Sequence, residues 1–256
     1  MLTLLSEDNY PVVQQCLKMQ LFPIIASVIN SQQEGKIFVD DPINPKVIFI
    51  IHKCSFAFLY GDVTNYTALF EFLYKEKSIP QYFHIYDTGT AFNEHLKSSH
   101  LFNFKLRERM RLKRVDDRLP KKSVDIAEQY ELTPADQISA TDFDVFELGK
   151  YWPSLQDFKE NGFGWLVTDN NKAVCICYTA SIANNVCETD ILTLPEYRGL
   201  GLATVVCEKM LATCLERNIE MGWDVFVDNY ASIKTIEKFD YEPFYNYLFT
   251  SIYKLI

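Results

Sequence analysis

The chain has 256 residues, of which 48% are hydrophobic and 14% aromatic, and it carries a net charge of −9. That suits one large or two small domains with ample core and argues against disorder. No apolar run nears the ~20 residues of a membrane span. No basic, then apolar leader opens the chain, so a cytoplasmic protein without a membrane partner is expected.

Seven scattered cysteines read as reduced thiols. Cys175 and Cys177 form a C-x-C within a strand-like run. All four histidines lie before residue 101, so the cysteines are read as buried apolar groups and no metal is expected. Charge is uneven. Residues 1–124 hold 16 Lys+Arg against 13 Asp+Glu, and residues 125–256 hold 9 against 21. An acidic second half disfavours nucleic acid and favours a cationic ligand, although ordinary surface charge would look the same.

In chain order, residues 8–29 show helical spacing at Val12, Val13, Cys16, Leu17 and Leu21. Pro11 suits the first turn, and Pro23 is expected to kink or end the helix. Residues 36–41 read as a short strand and turn, and 46–52 and 55–60 as two buried strands. Residues 65–77 form an amphipathic helix with Leu69, Phe72 and Leu73 inward. A strand at 82–86 and a helix at 90–98 follow. In residues 104–115 every odd position from Lys105 through Arg107, Arg109 and Arg111 to Lys113 is basic. Period two means a strand with one cationic face. It reads either as a phosphate-binding face or, the favoured reading, as an edge strand protected by charge.

The polar stretch 116–123 is taken as a linker, dividing residues 1–124 from residues 125–256. A strand over 126–132, a helix start at Thr133-Pro134-Ala135-Asp136 and a short helix over 152–160 come next. Residues 164–169 and 173–180 then pair as a hairpin across Asn170-Asn171. No tandem repeat is legible. The first half nonetheless also alternates strands and helices, as a decayed copy of the second would.

The most informative stretch is Glu196-Tyr197-Arg198-Gly199-Leu200-Gly201-Leu202-Ala203-Thr204. A strand-like run (187–194) precedes it and a helical run (203–217) follows. A strand that turns through glycines into a helix start is an anion site, because the first-turn N–H groups lack intrahelical partners. Gly199 and Gly201 let backbone approach a phosphate closely, and Arg198 adds charge. The pattern Arg-x-x-Gly-x-Ala lacks the Lys-Ser/Thr ending of a P-loop and the spacing of a dinucleotide fingerprint. Downstream lie the strand Gly222-Trp223-Asp224-Val225-Phe226-Val227, then Asn229, Ser232 and Glu237-Lys238-Phe239-Asp240-Tyr241. Upstream lie Trp152, Asp157-Phe158 and Gly162-Phe163-Gly164.

This ordered set resembles the GNAT acetyltransferases, in particular the subgroup that includes zwittermicin self-resistance acetyltransferases. The resemblance spans residues 152–241 and is faint before them. It implies an α+β fold with a mixed, mostly antiparallel sheet splayed between its fourth and fifth strands, preceded by a smaller α/β domain. It also implies acetyl-CoA as cosubstrate. Leu192, Thr193 and Leu194 would pair with pantetheine. Arg198, Gly199, Leu200, Gly201, Leu202, Ala203 and Thr204 would hold the pyrophosphate, and Asn229 and Ser232 would touch the pantetheine arm.

Glu188 and Asp190, two apart on a strand, share a face. Either can take a proton from an amine, unless it serves only to pair with a buried cation. Two departures stand out. Ile236 occupies the place of a tyrosine that protonates the thiolate in many members, leaving Tyr241, Tyr245 or water as the acid. Asp240 replaces the usual glycine. The reading is an N-acetyltransferase for a small, cationic amine. The alternative is a non-catalytic acyl-CoA-binding module. A homodimer is compatible with either.

Overall fold

The computed structural model describes residues 2–17, 19–116 and 126–255. The chain forms two compact units, Met1–Arg109 with Asn246–Ile256, and Met110–Tyr245. The division falls inside two long strands. The linker expected at 116–123 lies almost wholly outside the described residues.

The first unit opens with β1 (Thr3–Leu4), α1 (Tyr10–Cys16) and α2 (Pro23–Ile29). Residues 8–29 are therefore two helices, not one kinked at Pro23. The proline sits in the first turn of α2, where its missing N–H costs nothing. Next come β2 (Gly35–Val39), β3 (Ile48–His52), β4 (Phe56–Tyr60), α3 (Tyr66–Lys75), β5 (Tyr82–Tyr86) and α4 (Thr90–Ser98). Strands β1 to β4 form an antiparallel meander, and β4 pairs with β5 in parallel.

Every residue of β3 is buried, because both faces of the sheet are covered. The same logic makes parallel-sheet strands read as apolar runs. Phe49 and Ile51 pack with Leu69, Phe70 and Leu73 of α3 and Phe92 and Leu96 of α4. Phe70 is buried and Phe72 only partly so, an exchange within the face expected for α3.

Strand β6 (Phe102–Arg114) follows. Arg109 is buried and its guanidinium lies 5.6 Å from the Tyr86 ring centre and 5.0 Å from that of Phe249. The cationic face is therefore packed inward at this position, and β6 is an interior strand with neighbours on both sides. The edge-strand expectation fails because aromatic faces and a carboxylate, described below, draw the guanidinium groups into the sheet.

The second unit continues with β7 (Tyr130–Pro134), α5 (Ala140–Val145), α6 (Leu155–Asn161), β8 (Gly164–Asp169), β9 (Lys172–Ala183), β10 (Val186–Thr193), α7 (Leu202–Glu216), β11 (Glu220–Phe226), α8 (Tyr230–Ile236) and β12 (Tyr241–Lys254). Strand β7 begins four residues later than expected, after a turn closed by Tyr130 N–H on the Ala127 carbonyl. Trp152 precedes α6 and does not belong to it. Its indole N–H bonds the Thr179 carbonyl at 2.9 Å, and Ser154 caps the helix. Asn170 and Asn171 have φ of 49° and 64°, the left-handed pair that a two-residue hairpin requires.

Strands β7 to β10 are antiparallel, and β10 and β11 are parallel. Helix α7 covers one face. Val206, Cys207, Met210 and Cys214 pack there on Cys175, Cys177, Cys187 and Trp223. The two units thus share one order of elements, β2-β3-β4-α3-β5-α4-β6 and β8-β9-β10-α7-β11-α8-β12.

Strand β12, which the sequence reading did not foresee, returns to the first unit. Residues Phe249 to Tyr253 pair antiparallel with β5. Buried Thr250, Thr88 and Asn93 join in one hydrogen-bonded set. The Lys254 ammonium donates to the carbonyls of Glu76 and Ile79 at 3.0 and 2.8 Å.

His52 ends β3 almost fully buried, its Nδ1 accepting from the Cys54 N–H. Burial, with a smaller push from Lys53, lowers it from 6.5 to about 3. The unfolded chain takes up this proton below pH 6.5 and the folded protein does not. Stability is therefore lost as pH falls from about 6.5 toward 3. In His52→Asn, whose amide can accept the same bond, the fall in melting temperature across that window should be visibly shallower than in wild type.

Candidate active site

Strand β10 stays bonded to β11 over only three pairs, Val186↔Glu220, Cys187↔Met221 and Glu188↔Gly222. Its pairing with β9 runs on to Thr193. Past Glu188, then, β10 keeps one neighbour and parts from the other, which is a splay. A Cβ at Gly222 would sit 2.5 Å from the Cys187 carbonyl oxygen. The last shared pair needs glycine.

The expected pantetheine segment lies on the splayed side. Leu192 is opposite Ile176 and 36% exposed. The Thr193 carbonyl accepts from Arg198 Nε at 3.2 Å. Leu194 turns its N–H back to the Val174 carbonyl. A single 3₁₀ turn over Pro195–Tyr197 leads into the loop. Gly199 and Gly201 have φ of 79° and 81°, a left-handed backbone that favours glycine. A Cβ at Gly199 would meet nothing within 4 Å. Arg198 and Leu200 are exposed.

Gly201 is the N-cap of α7 and offers no side chain to cap it. Its carbonyl takes the N–H groups of Thr204 and Val205, while those of Leu202 and Ala203 belong to the first turn that an anion can satisfy. Thr204 is buried, and its hydroxyl accepts from Lys238 Nζ at 2.9 Å. This puts a second cation at the α7 start. Nothing local in the sequence around Lys238 marks it for this place.

Asn229 and Ser232 lie at the start of α8. The Asn229 side chain caps that helix through the Ser232 N–H at 3.3 Å, and the Ser232 hydroxyl accepts from the Trp223 indole at 3.2 Å. Ile236 is fully buried in the core. Asp240 has φ of 62°, so it takes the left-handed turn for which glycine is usual.

The face of the sheet opposite α7 holds the charges. Cys187 points into the α7 core, so its neighbour Glu188 points away, and Asp190 follows two residues on. Glu188 is 8% exposed. Asp190 accepts from the Tyr178 hydroxyl at 3.3 Å and from the Ile191 N–H at 2.9 Å. Burial first, then Asp190 and Glu147, push the Tyr178 phenol well above its ordinary value.

From β6, Arg111 forms a bidentate pair with Asp224 of β11. Its Nη2 lies 2.7 Å from Oδ2, and its Nε lies 3.0 and 3.2 Å from the two carboxylate oxygens. The side chains are 13% and 3% exposed. Tyr241 is set apart. Its hydroxyl donates to the Met221 carbonyl at 2.7 Å, and burial raises the phenol. That proton is held in the core, so Tyr241 is no candidate acid. Tyr245 is 37% exposed, with its ring centre 5.9 Å from the Arg111 guanidinium.

Tyr241→Phe should therefore act on stability alone. Chemical denaturation should show a loss of about 0.5–1.5 kcal/mol for the missing hydrogen bond, with kcat unchanged.

The profile of the GNAT acetyltransferase family matches residues 14–249. A relative from Bacillus subtilis (strain 168), the uncharacterized N-acetyltransferase YdfB, is 28% identical over 230 residues, 87% of each chain. A GCN5-related N-acetyltransferase-like protein from Streptococcus suis superposes with a TM-score of 0.72 at 18% identity, covering 96% of this chain and 98% of its own. A tandem GNAT protein from the clavulanic acid biosynthesis pathway gives 0.65 at 12% identity, over 98% and 97%. At those identities the two structures speak for the fold alone. With the family profile matched over nearly its whole length, the chain belongs to the GNAT acetyltransferases and is an acyltransferase.

Proposed function

We propose that the enzyme moves an acetyl group from acetyl-CoA to the amine of a small, cationic acceptor, bound together with the donor. The finer resemblance to zwittermicin self-resistance acetyltransferases belongs to this reading. So do a cytoplasmic setting and the lack of a nucleic-acid or membrane partner. What carries it is the α7 start: two left-handed glycines, an uncapped helix and flanking Arg198 and Lys238, all at the mouth of the splay. The open space beside Gly199 suits a phosphate drawn to backbone N–H groups.

Acetyl-CoA supplies an activated acyl thioester. The chain supplies the rest. The loop from Arg198 to Thr204 holds the pyrophosphate, and the splayed edge of β10 at Thr193 offers backbone to pantetheine. Asn229 keeps the α8 start in place beside it. On the opposite face, Glu188, Asp190 and Glu147 draw an ammonium by charge. Glu188, at the point of the splay, takes the proton that the amine must lose before it attacks. Buried Ile236 cannot serve as an acid. None is obligatory, because a thiolate leaves readily compared with an alkoxide.

Arg109 is engaged by Tyr86 and Phe249, Arg111 by Asp224, and Lys113 lies over the Phe244 ring.

Gly201→Val forces a β-branched residue to φ near 81° and projects methyl groups at the phosphate position. Titration calorimetry should show acetyl-CoA affinity reduced by about tenfold or more, ~1.4 kcal/mol. Unchanged affinity would remove the loop from the reading. Separately, Glu188→Gln should lower turnover by about 10²–10⁴-fold and leave acetyl-CoA affinity intact. Raising the pH should rescue it in part, since more of the amine is then neutral. The assay is CoA release against polyamines, aminoglycosides and amino-polyols. Equal turnover by wild type and variant at neutral pH would exclude Glu188 as the base.

A further inference from the structure

Five of the seven cysteines lie in one layer, between the sheet of the second unit and α7, and acetyl transfer as proposed above calls on none of their thiols. Cys175, Cys177 and Cys187 face the layer from β9 and β10, and Cys207 and Cys214 from the helix. Within it the sulfurs of Cys187 and Cys214 stand 3.8 Å apart, and the Thr189 hydroxyl lies 3.8 Å from the Cys187 sulfur. The Cys214 S–H donates to Cys187 and, with a smaller contribution from Thr189, holds the Cys187 thiol below its ordinary value against the cost of burial. Cys214 is raised in turn, first by Cys187. One sulfur is thus set up to attack and the other to follow, the arrangement of a redox-active pair. Cys175 and Cys177 differ. Burial pushes the first up to about 12 and the second well above its usual value.

Both sulfurs are buried, yet each sits near an exposed end. Cys187 is the second residue of β10, just after the exposed turn Asn184-Asn185. Cys214 lies in the last turn of α7, ahead of exposed Leu215, Glu216 and Arg217. Helix ends fray, and such local opening costs far less than unfolding. A small, neutral oxidant has its way in there.

We propose that Cys187 and Cys214 form a reversible oxidation site, in which a hydroperoxide converts the two thiols to a disulfide that staples the start of β10 to the end of α7. The Cys187 sulfur attacks a peroxide oxygen and breaks the O–O bond. This leaves a sulfenic acid on Cys187, and with hydrogen peroxide the departing hydroxide takes up the thiol proton as water. The Cys214 sulfur then attacks the Cys187 sulfur, the S–O bond breaks, and a second water leaves with the Cys214 proton. Two thiols lose two electrons and two protons, and the peroxide is reduced to two waters. The sulfurs must close from 3.8 Å to about 2.05 Å, a movement that the ends of a strand and a helix take up more readily than their middles. The ring so closed spans residues 187–214 and contains the whole glycine loop, with the bridge at the far end of both elements from it. A bridge of that span stabilises by limiting the unfolded chain.

The test treats the full-length protein with hydrogen peroxide in modest excess, alkylates the remaining thiols and maps the unreduced digest by mass spectrometry. Trypsin cuts after Lys209, between Cys207 and Cys214, and chymotrypsin cuts after Tyr178, between Cys177 and Cys187. The expected product is a peptide pair joined from Cys187 to Cys214 and released by dithiothreitol. In Cys214→Ser the reaction should stop at a Cys187 sulfenic acid that dimedone traps, and in Cys187→Ser the Cys214 thiol should stay reduced. Where a serine variant does not fold, the alanine variant, which puts no hydroxyl in the core, replaces it, and the wild-type map decides by itself. Oxidised wild type should also melt roughly 5 °C or more above the reduced protein, a gain that dithiothreitol reverses and Cys214→Ser lacks. Partly exposed Cys16 and Cys54 report that the oxidant has acted. The proposal is overturned if they are oxidised while Cys187 and Cys214 keep their thiols, if a Cys177–Cys207 bridge forms instead, or if the joined protein melts no higher than the reduced one.

Discussion

At Glu188 and Gly222 the backbones of β10 and β11 meet with no room for a side chain between them, and past that pair they separate. A parallel pair that closed fully would satisfy its own hydrogen bonds and leave none for a ligand. The bond from β9 to β10 holds the meander together while one edge of β10 is left open. Helix α7 starts at the end of that opening, so its unpaired N–H groups and the strand edge face the same place. The carboxylates lie on the sheet face that α7 does not cover. The glycine loop, the open edge and the place of Glu188 are therefore three results of one interrupted strand pairing.

Features governed by neighbours in sequence were legible. The Asn170-Asn171 hairpin, the Asn65-capped α3 and the glycine loop ahead of α7 follow from rules that operate over a few residues. Features that depend on distant partners were not. Residues 105–113 show a correct period of two, but nothing local says that Arg109 meets Tyr86 and Phe249, or that Arg111 meets Asp224 from beyond residue 220. Tyr241 and Tyr245 read alike as phenols. Only the Met221 carbonyl separates them. The pairing of β12 with β5 joins residues more than 150 apart, which no periodicity can announce.

The repeated order of elements also shows what specialisation requires. The loop after β4 has the same place in the first unit as the glycine loop has in the second. Its glycine, Gly61, is left-handed too, but a Cβ there would lie 1.8 Å from the Lys46 carbonyl, so the space is filled by chain. Asp62 follows it, and Asn65 caps α3 with its own side chain through the Ala68 N–H at 2.9 Å. Phe22 stacks on Tyr86 at 4.1 Å, at the end of β5. One connectivity thus gives a helix start open to an anion in one unit and a helix start already satisfied, beside an acid, in the other.

The return of β12 to β5 has a consequence for how the protein is made. The stretch Asn246–Ile256 is grouped with residues translated well before it, Met1–Arg109. Until it emerges, β5 has no partner along the edge that Phe249 to Tyr253 later occupy, and Thr88 and Asn93 lack the Thr250 hydroxyl. The N-terminal unit therefore cannot finish folding on its own schedule during synthesis. It waits as a sheet with a bare, aromatic-rich edge while residues 110–245 are translated. Such an edge invites pairing with other chains. A ribosome stall or a premature stop after residue 245 would release a protein whose glycine loop is intact and whose first unit is incomplete.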